Sequence, residues 1–299
     1  MGGAYDIGGR KLNLSCMGEG SPAVILEADF GEPGYAWTPI QREAARFARV
    51  CWYDRAGYGW SDPAPFPRHS DSAARDLHAL LRTAGVAPPY LLVAKQLSAF
   101  HARVFRGYYP DEVAGLVLVD PTNEDMTIRI HNHIELFRPF MIRLFTTIGW
   151  FGGWRLFADD PSQASAGFSQ EEGQVLAALK LRALFLATVT KELPMFVNGE
   201  IARASGDMGA TPLVVLSASW PGSVLDPKLE DRDTTLRLNR ALAMQSREGV
   251  WIGVPAHQNA IPAEAPEAII GAIRRWYPAS DRASDTGSKG NPPPGKVPL

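Results

Sequence analysis

Six short runs along the chain are mainly apolar at consecutive rather than alternate positions. They are "AVILEA" (23–28), "ARVCWY" (48–53), "YLLVA" (90–94), "GLVLVD" (115–120), "PLVVLS" (212–217) and "GVWIGV" (249–254). A strand that buries both faces needs apolar residues throughout, so these runs predict a parallel sheet covered on both sides. Helical spacing lies between them. "SDSAARDLHALLRTAG" (70–85) puts Ala74, Leu77, Leu80 and Leu81 on one face, with Ser70 or Ser72 as the cap and Gly85 as the stop. "PAEAPEAIIGAIRRWY" (262–277) reads as one closing helix. Residues 1–16 suit a β-hairpin turned at Gly8-Gly9. Alternating strands and helices give the α/β class, with a doubly wound, mostly parallel sheet. The stretch 122–208 has no convincing strand and reads as a helical cap inserted into a core of 1–121 and 209–278.

Composition changes this picture little. A formal charge of -2 and 21% charged residues exert no general pull on nucleic acid, and that partner class is set aside. The segment 137–157 is apolar and aromatic, but Arg138, Arg143 and Arg155 interrupt it, so stable membrane insertion is not expected. Its aromatic residues, Phe137, Phe140 and Trp150 among them, suit the wall of an apolar pocket. The N-terminus lacks the apolar core of a secretory signal, and residues 279–299 have the composition of a flexible tail. Cys16 and Cys51 belong to no metal-type cluster and read as buried free thiols in a reducing, cytoplasmic compartment. No metal or cofactor motif is present, and the oligomeric state is not legible.

"VCWYDRAGYGWSDP" (50–63) resembles the D-R-x-G-x-G-x-S loop after the fourth strand of the α/β-hydrolase fold family. Other stretches fall where that family keeps its working loops. "LEADFGEPG" (26–34) lies at the oxyanion-hole loop, "AKQLS" (94–98) at the nucleophile elbow, and "VPAHQNAIPAEAPEAI" (254–269) at the late histidine loop. The resemblance runs from about residue 9 to about 277 and implies a serine-hydrolase scaffold with a cap. The catalytic positions depart from it. Gln96 stands where the family has its serine, and Asn259 where it has its histidine. Asp29 occupies a place that favours glycine, and a carboxylate there would repel a developing oxyanion. Asp120 sits where some members keep the triad acid.

A serine hydroxyl gains useful nucleophilicity only when an imidazole takes its proton, so serine hydrolysis is not expected. The departures cluster in the pocket loops while Asp54, Arg55, Gly57, Gly59 and Ser61 look untouched. That contrast suggests a deliberately redesigned site. The favoured reading is a designed retro-aldolase, a carbon–carbon lyase acting on a small apolar carbonyl substrate. Lys95 would form the Schiff base, His257 would shuttle the proton and Asp29 would hold the imidazole. Gln96, Asn259, Phe30, Leu97 and Trp220 would line the binding pocket. Each has a plainer alternative: a packed Lys95, a solvated His257, an Asp29 that merely turns its loop. Three further readings stay open: His257 as nucleophile on an enone, an inactive ligand-binding pseudo-hydrolase, and a hydrolase with an unrecognised nucleophile.

Overall fold

The computed structural model describes residues 2–66, 68–124, 167–182, 188–189, 192, 202, 206–220 and 229–277, the side chains of 229–232 excepted. Strands β1 (Gly3–Asp6) and β2 (Lys11–Met17) form the expected hairpin. Gly8 and Gly9 take φ of 105° and 92° at its turn, where the Asp6 carboxylate accepts both of their N–H groups. Then follow β3 (Ala23–Glu27), β4 (Val50–Tyr53), β5 (Tyr90–Lys95), β6 (Val113–Val119), β7 (Leu213–Ala218) and β8 (Gly249–Val254). All lie in one eight-stranded sheet in the order β1-β2-β4-β3-β5-β6-β7-β8, parallel from β4 onward.

The consecutive apolar residues of these runs serve two cores. Leu92 and Ala94 of β5 point into the layer holding α2 (Ser70–Thr83) and α3 (Ser98–Tyr108). Leu91 and Val93 point the other way, toward α1 (Thr38–Ala44) and α7 (Pro266–Arg274). Helix α4 (Gln170–Lys180) carries a reciprocal Ser169–Glu172 capping box, and α5 (Leu229–Ala243) packs on β7 and β8. The chain leaves β3 for β4 on one side and returns to β5 on the other. Strand order therefore reverses at β3/β5, which opens a crevice beyond their carboxyl ends.

Three expectations need correction. Cys16 and Cys51 are not free: they face each other in the antiparallel β2/β4 register and form a disulfide. Cross-strand proximity, invisible in a spacing of 35 residues, places their Cα atoms 4.0 Å apart. A bridge over a loop of 35 residues contributes about 4 kcal/mol by loop-closure entropy. It also removes the free-thiol argument for a reducing compartment. Second, neither Ser70 nor Ser72 caps α2. His69 is the N-cap and makes no side-chain cap bond, while Ser72 donates back to the His69 carbonyl. Third, the closing helix is broken into α6 (Ile261–Glu264) and α7, because Pro266 disfavours helical geometry at Ala265, which takes φ -142° and ψ 54°. Gly85 ends α2 as expected, with φ 66°. Most of the cap segment, with its aromatic run, and the tail 279–299 lie outside the described residues. Among the described residues no helix is long and apolar enough to cross a membrane.

Candidate functional site

The loops that follow β3, β5, β6 and β8 meet at the crevice. At the end of β5 the chain makes a sharp turn through Gln96, whose φ of 50° is left-handed and costly for a side chain of that size. Neighbouring backbone holds the strain. The Gln96 N–H donates to Val119 O at 3.0 Å, and its carbonyl accepts from Ala99 and Thr122. Ser98 is fully buried and donates to the Lys95 and Glu27 carbonyls, so its hydroxyl fastens the turn to β3 rather than facing a substrate.

The turn presents the Leu97 N–H, at the start of α3, toward the β3 loop. Asp29 takes it: Oδ1 accepts that N–H at 3.1 Å, and the residue is 8% exposed. Burial, helped by the charge of Glu32, pushes the Asp29 carboxyl from its ordinary 3.8 up to about 7, against the pull of Lys95, the Phe30 N–H and Arg55. The D-R-x-G-x-G-x-S loop fixes this arrangement. Arg55 donates to the Ala28 and Asp29 carbonyls, while Asp54 accepts from Asn13, Gly34 and Trp60. At Gly59, with φ 49°, any Cβ would collide with the Asp54 carboxylate.

Lys95 lies beside the elbow with its side chain 10% exposed, and its Nζ donates to Glu32 Oε1 at 2.9 Å. Both residues line a cavity of about 160 Å³ together with Trp37, Phe168, Lys180 and Asn259. Asn259 is also left-handed, at φ 69°, and its N–H donates to Asp120 Oδ2 at 2.8 Å. The other Asp120 oxygen accepts from the Ala218 N–H at 3.0 Å. Burial raises the Asp120 carboxyl above its usual range, against the two N–H bonds and Lys95. Asp120 therefore tethers the late loop to the end of β7.

The structure brings Lys95, Asp29, Gln96, Leu97 and Asn259 into one neighbourhood, with partly buried Phe30 in the β3 loop. It does not form the anticipated Asp29–His257 dyad. His257 is about half exposed, and its Nδ1 pairs with Glu264 at 3.0 Å on α6. Trp220 stands 46% exposed against His257, with ring centroids 5.2 Å apart. Glu32, Trp37 and Lys180 escaped the sequence reading. For Glu32 the signal was a second carboxylate three residues after Asp29, in a loop that should receive negative charge. Among the described residues, no group of three or more His, Cys, Asp or Glu side chains could hold a metal ion.

A family model described as alpha/beta hydrolase fold matches residues 22–167. A loop variant of a haloalkane dehalogenase from Bradyrhizobium elkanii superposes with a TM-score of 0.64 at 20% identity, covering 92% of this chain and 95% of that one. The fold is that of the α/β-hydrolases. Two relatives from Bacillus subtilis (strain 168) are uncharacterized. YbdG is 23% identical over 223 residues, which span 73% of this chain and 68% of YbdG. YqjL is 30% identical over 108 residues, or 36% of this chain and under half of YqjL. In an α/β-hydrolase, the N–H after the nucleophile stabilises the oxyanion. In this α/β-hydrolase fold an internal carboxylate holds the equivalent donor.

Proposed function

We propose that the chain has left ester hydrolysis and uses its hydrolase-type cavity to bind a small ligand. One observation carries this reading: the Asp29 carboxylate accepts the Leu97 N–H, the donor that would otherwise receive a developing oxyanion. The other departures agree with it. Gln96 has no nucleophilic oxygen, the Ser98 hydroxyl is engaged by two backbone carbonyls, and the imidazole of the late loop turns to Glu264.

The test pairs fluorophosphonate labelling with p-nitrophenyl acetate hydrolysis on the intact chain. The expected result is no labelled serine and no release of p-nitrophenol above a Gln96→Ala control. A labelled serine would overturn the reading.

The designed retro-aldolase remains as a second reading, because Lys95 lines the cavity. Its amine would have to leave the Glu32 ion pair and lose a proton before attacking a carbonyl. Borohydride reduction with a ketone present separates the two: the binding reading predicts no adduct on Lys95, and a trapped adduct would replace it.

A further inference from the structure

The cavity between α1, α4 and α6 has an unbalanced set of polar groups. A lysine ammonium carries three N–H donors, and an indole carries one. Lys95 is 92% buried by its 8% exposure, yet among the described residues its ammonium has one hydrogen-bond partner, Glu32. Lys180, half-buried in the last turn of α4, has none among the described residues. Trp37 is 2% exposed, and its Nε1 is buried with no hydrogen-bond partner among the described residues. A buried donor left unpaired costs about 1–3 kcal/mol, a cost that falls on the Trp37 indole, while the two ammonium groups leave the cavity with an excess of positive charge. Among the described residues, the lining side chains supply only the Glu32 carboxylate and the Asn259 amide oxygen as acceptors against two ammonium groups. Asp29 and Asp120 lie in the field of Lys95, but neither lines the cavity and both accept backbone N–H groups.

The remaining lining is apolar, with Trp37, Ile40, Phe168 and Leu176 prominent. The volume, about 160 Å³, is close to that of an engineered apolar cavity, roughly 150 Å³, known to hold benzene. We infer that the cavity binds a small monocarboxylate with an apolar body about the size of one benzene ring. Its carboxylate meets the Lys180 and Lys95 ammonium groups and its body lies among the four apolar side chains. This rests on the binding reading proposed above and adds the class of ligand.

The experiment is calorimetric titration of the full chain at pH 8 with benzoate, benzamide and benzylammonium, repeated on Lys180→Met and Lys180→Arg. Benzoate is expected to bind, and benzamide to bind roughly tenfold more weakly, since hydrogen bonds to charged groups are worth about 1.5–3 kcal/mol. Lys180→Met should weaken benzoate roughly tenfold and leave benzamide unchanged, while Lys180→Arg retains benzoate. Equal binding of benzamide or benzylammonium, no effect of Lys180→Met on benzoate, or binding of none of the three would overturn the inference. Ester turnover by the wild-type chain would instead defeat the binding reading, so the two failures are distinguishable.

Discussion

Replacing Gln96 by serine and Asn259 by histidine together is expected to leave p-nitrophenyl acetate hydrolysis at background. Adding Asp29→Gly is expected to raise the rate by roughly 10²–10³-fold, the usual effect of one oxyanion donor. The elbow already holds position 96 in the left-handed geometry of a nucleophile, and Asp120 already lies within 2.8 Å of the backbone N–H of residue 259. A serine and an imidazole can thus be set in place with a carboxylate at hand. What they would lack is charge stabilisation, because the Leu97 N–H is occupied by an acceptor that repels a second negative charge. Equal rates for the double and triple variants, measured at saturating substrate, would show that Asp29 is no obstacle.

Asp29→Asn should stabilise the fold strongly at alkaline pH and little at pH 4. The Asp29 carboxyl is raised from 3.8 to about 7 in the folded chain, so between those values the folded state holds a proton that the unfolded state has released. Stability from this group is fully present below pH 4 and falls as pH rises, with the loss complete above about pH 7. Three pH units correspond to about 4 kcal/mol. Asparagine keeps an oxygen to accept the Leu97 N–H and carries no charge to desolvate. Urea unfolding at pH 4, 6 and 8 should show the variant's advantage grow from near zero to several kcal/mol. An advantage independent of pH would mean that Asp29 is not held in an environment that opposes its ionisation.

The scaffold was legible because it rests on local pattern. The apolar runs at 90–94 and 115–119 became central parallel strands, and Gly8, Gly9 and Gly85 took the positive-φ conformations that their positions required. The departures at Gln96 and Asn259 were equally plain, since each replaces a residue type that the chemistry cannot do without. Pairings across the fold were hidden. Cys16 meets Cys51 only through the β2/β4 register, which is set by tertiary pairing and not by sequence spacing. His257 prefers Glu264, seven residues on, because the short α6 folds back beside its loop. The break at Pro266 was visible in principle, and a continuous apolar pattern masked it. For Asp29, the carboxylate was read as a partner for an imidazole. Its burial against a backbone N–H depends on Arg55 and Asp54, which fix the β3 loop from a different strand.

The most direct measurement is a pH titration followed by NMR, recording the Leu97 backbone amide and the Asp29 carboxyl carbon in the same samples. If the carboxylate occupies the elbow donor, both signals move together with a common midpoint near pH 7. An Asp29 midpoint near 4, with a Leu97 amide that does not respond to it, would contradict the account.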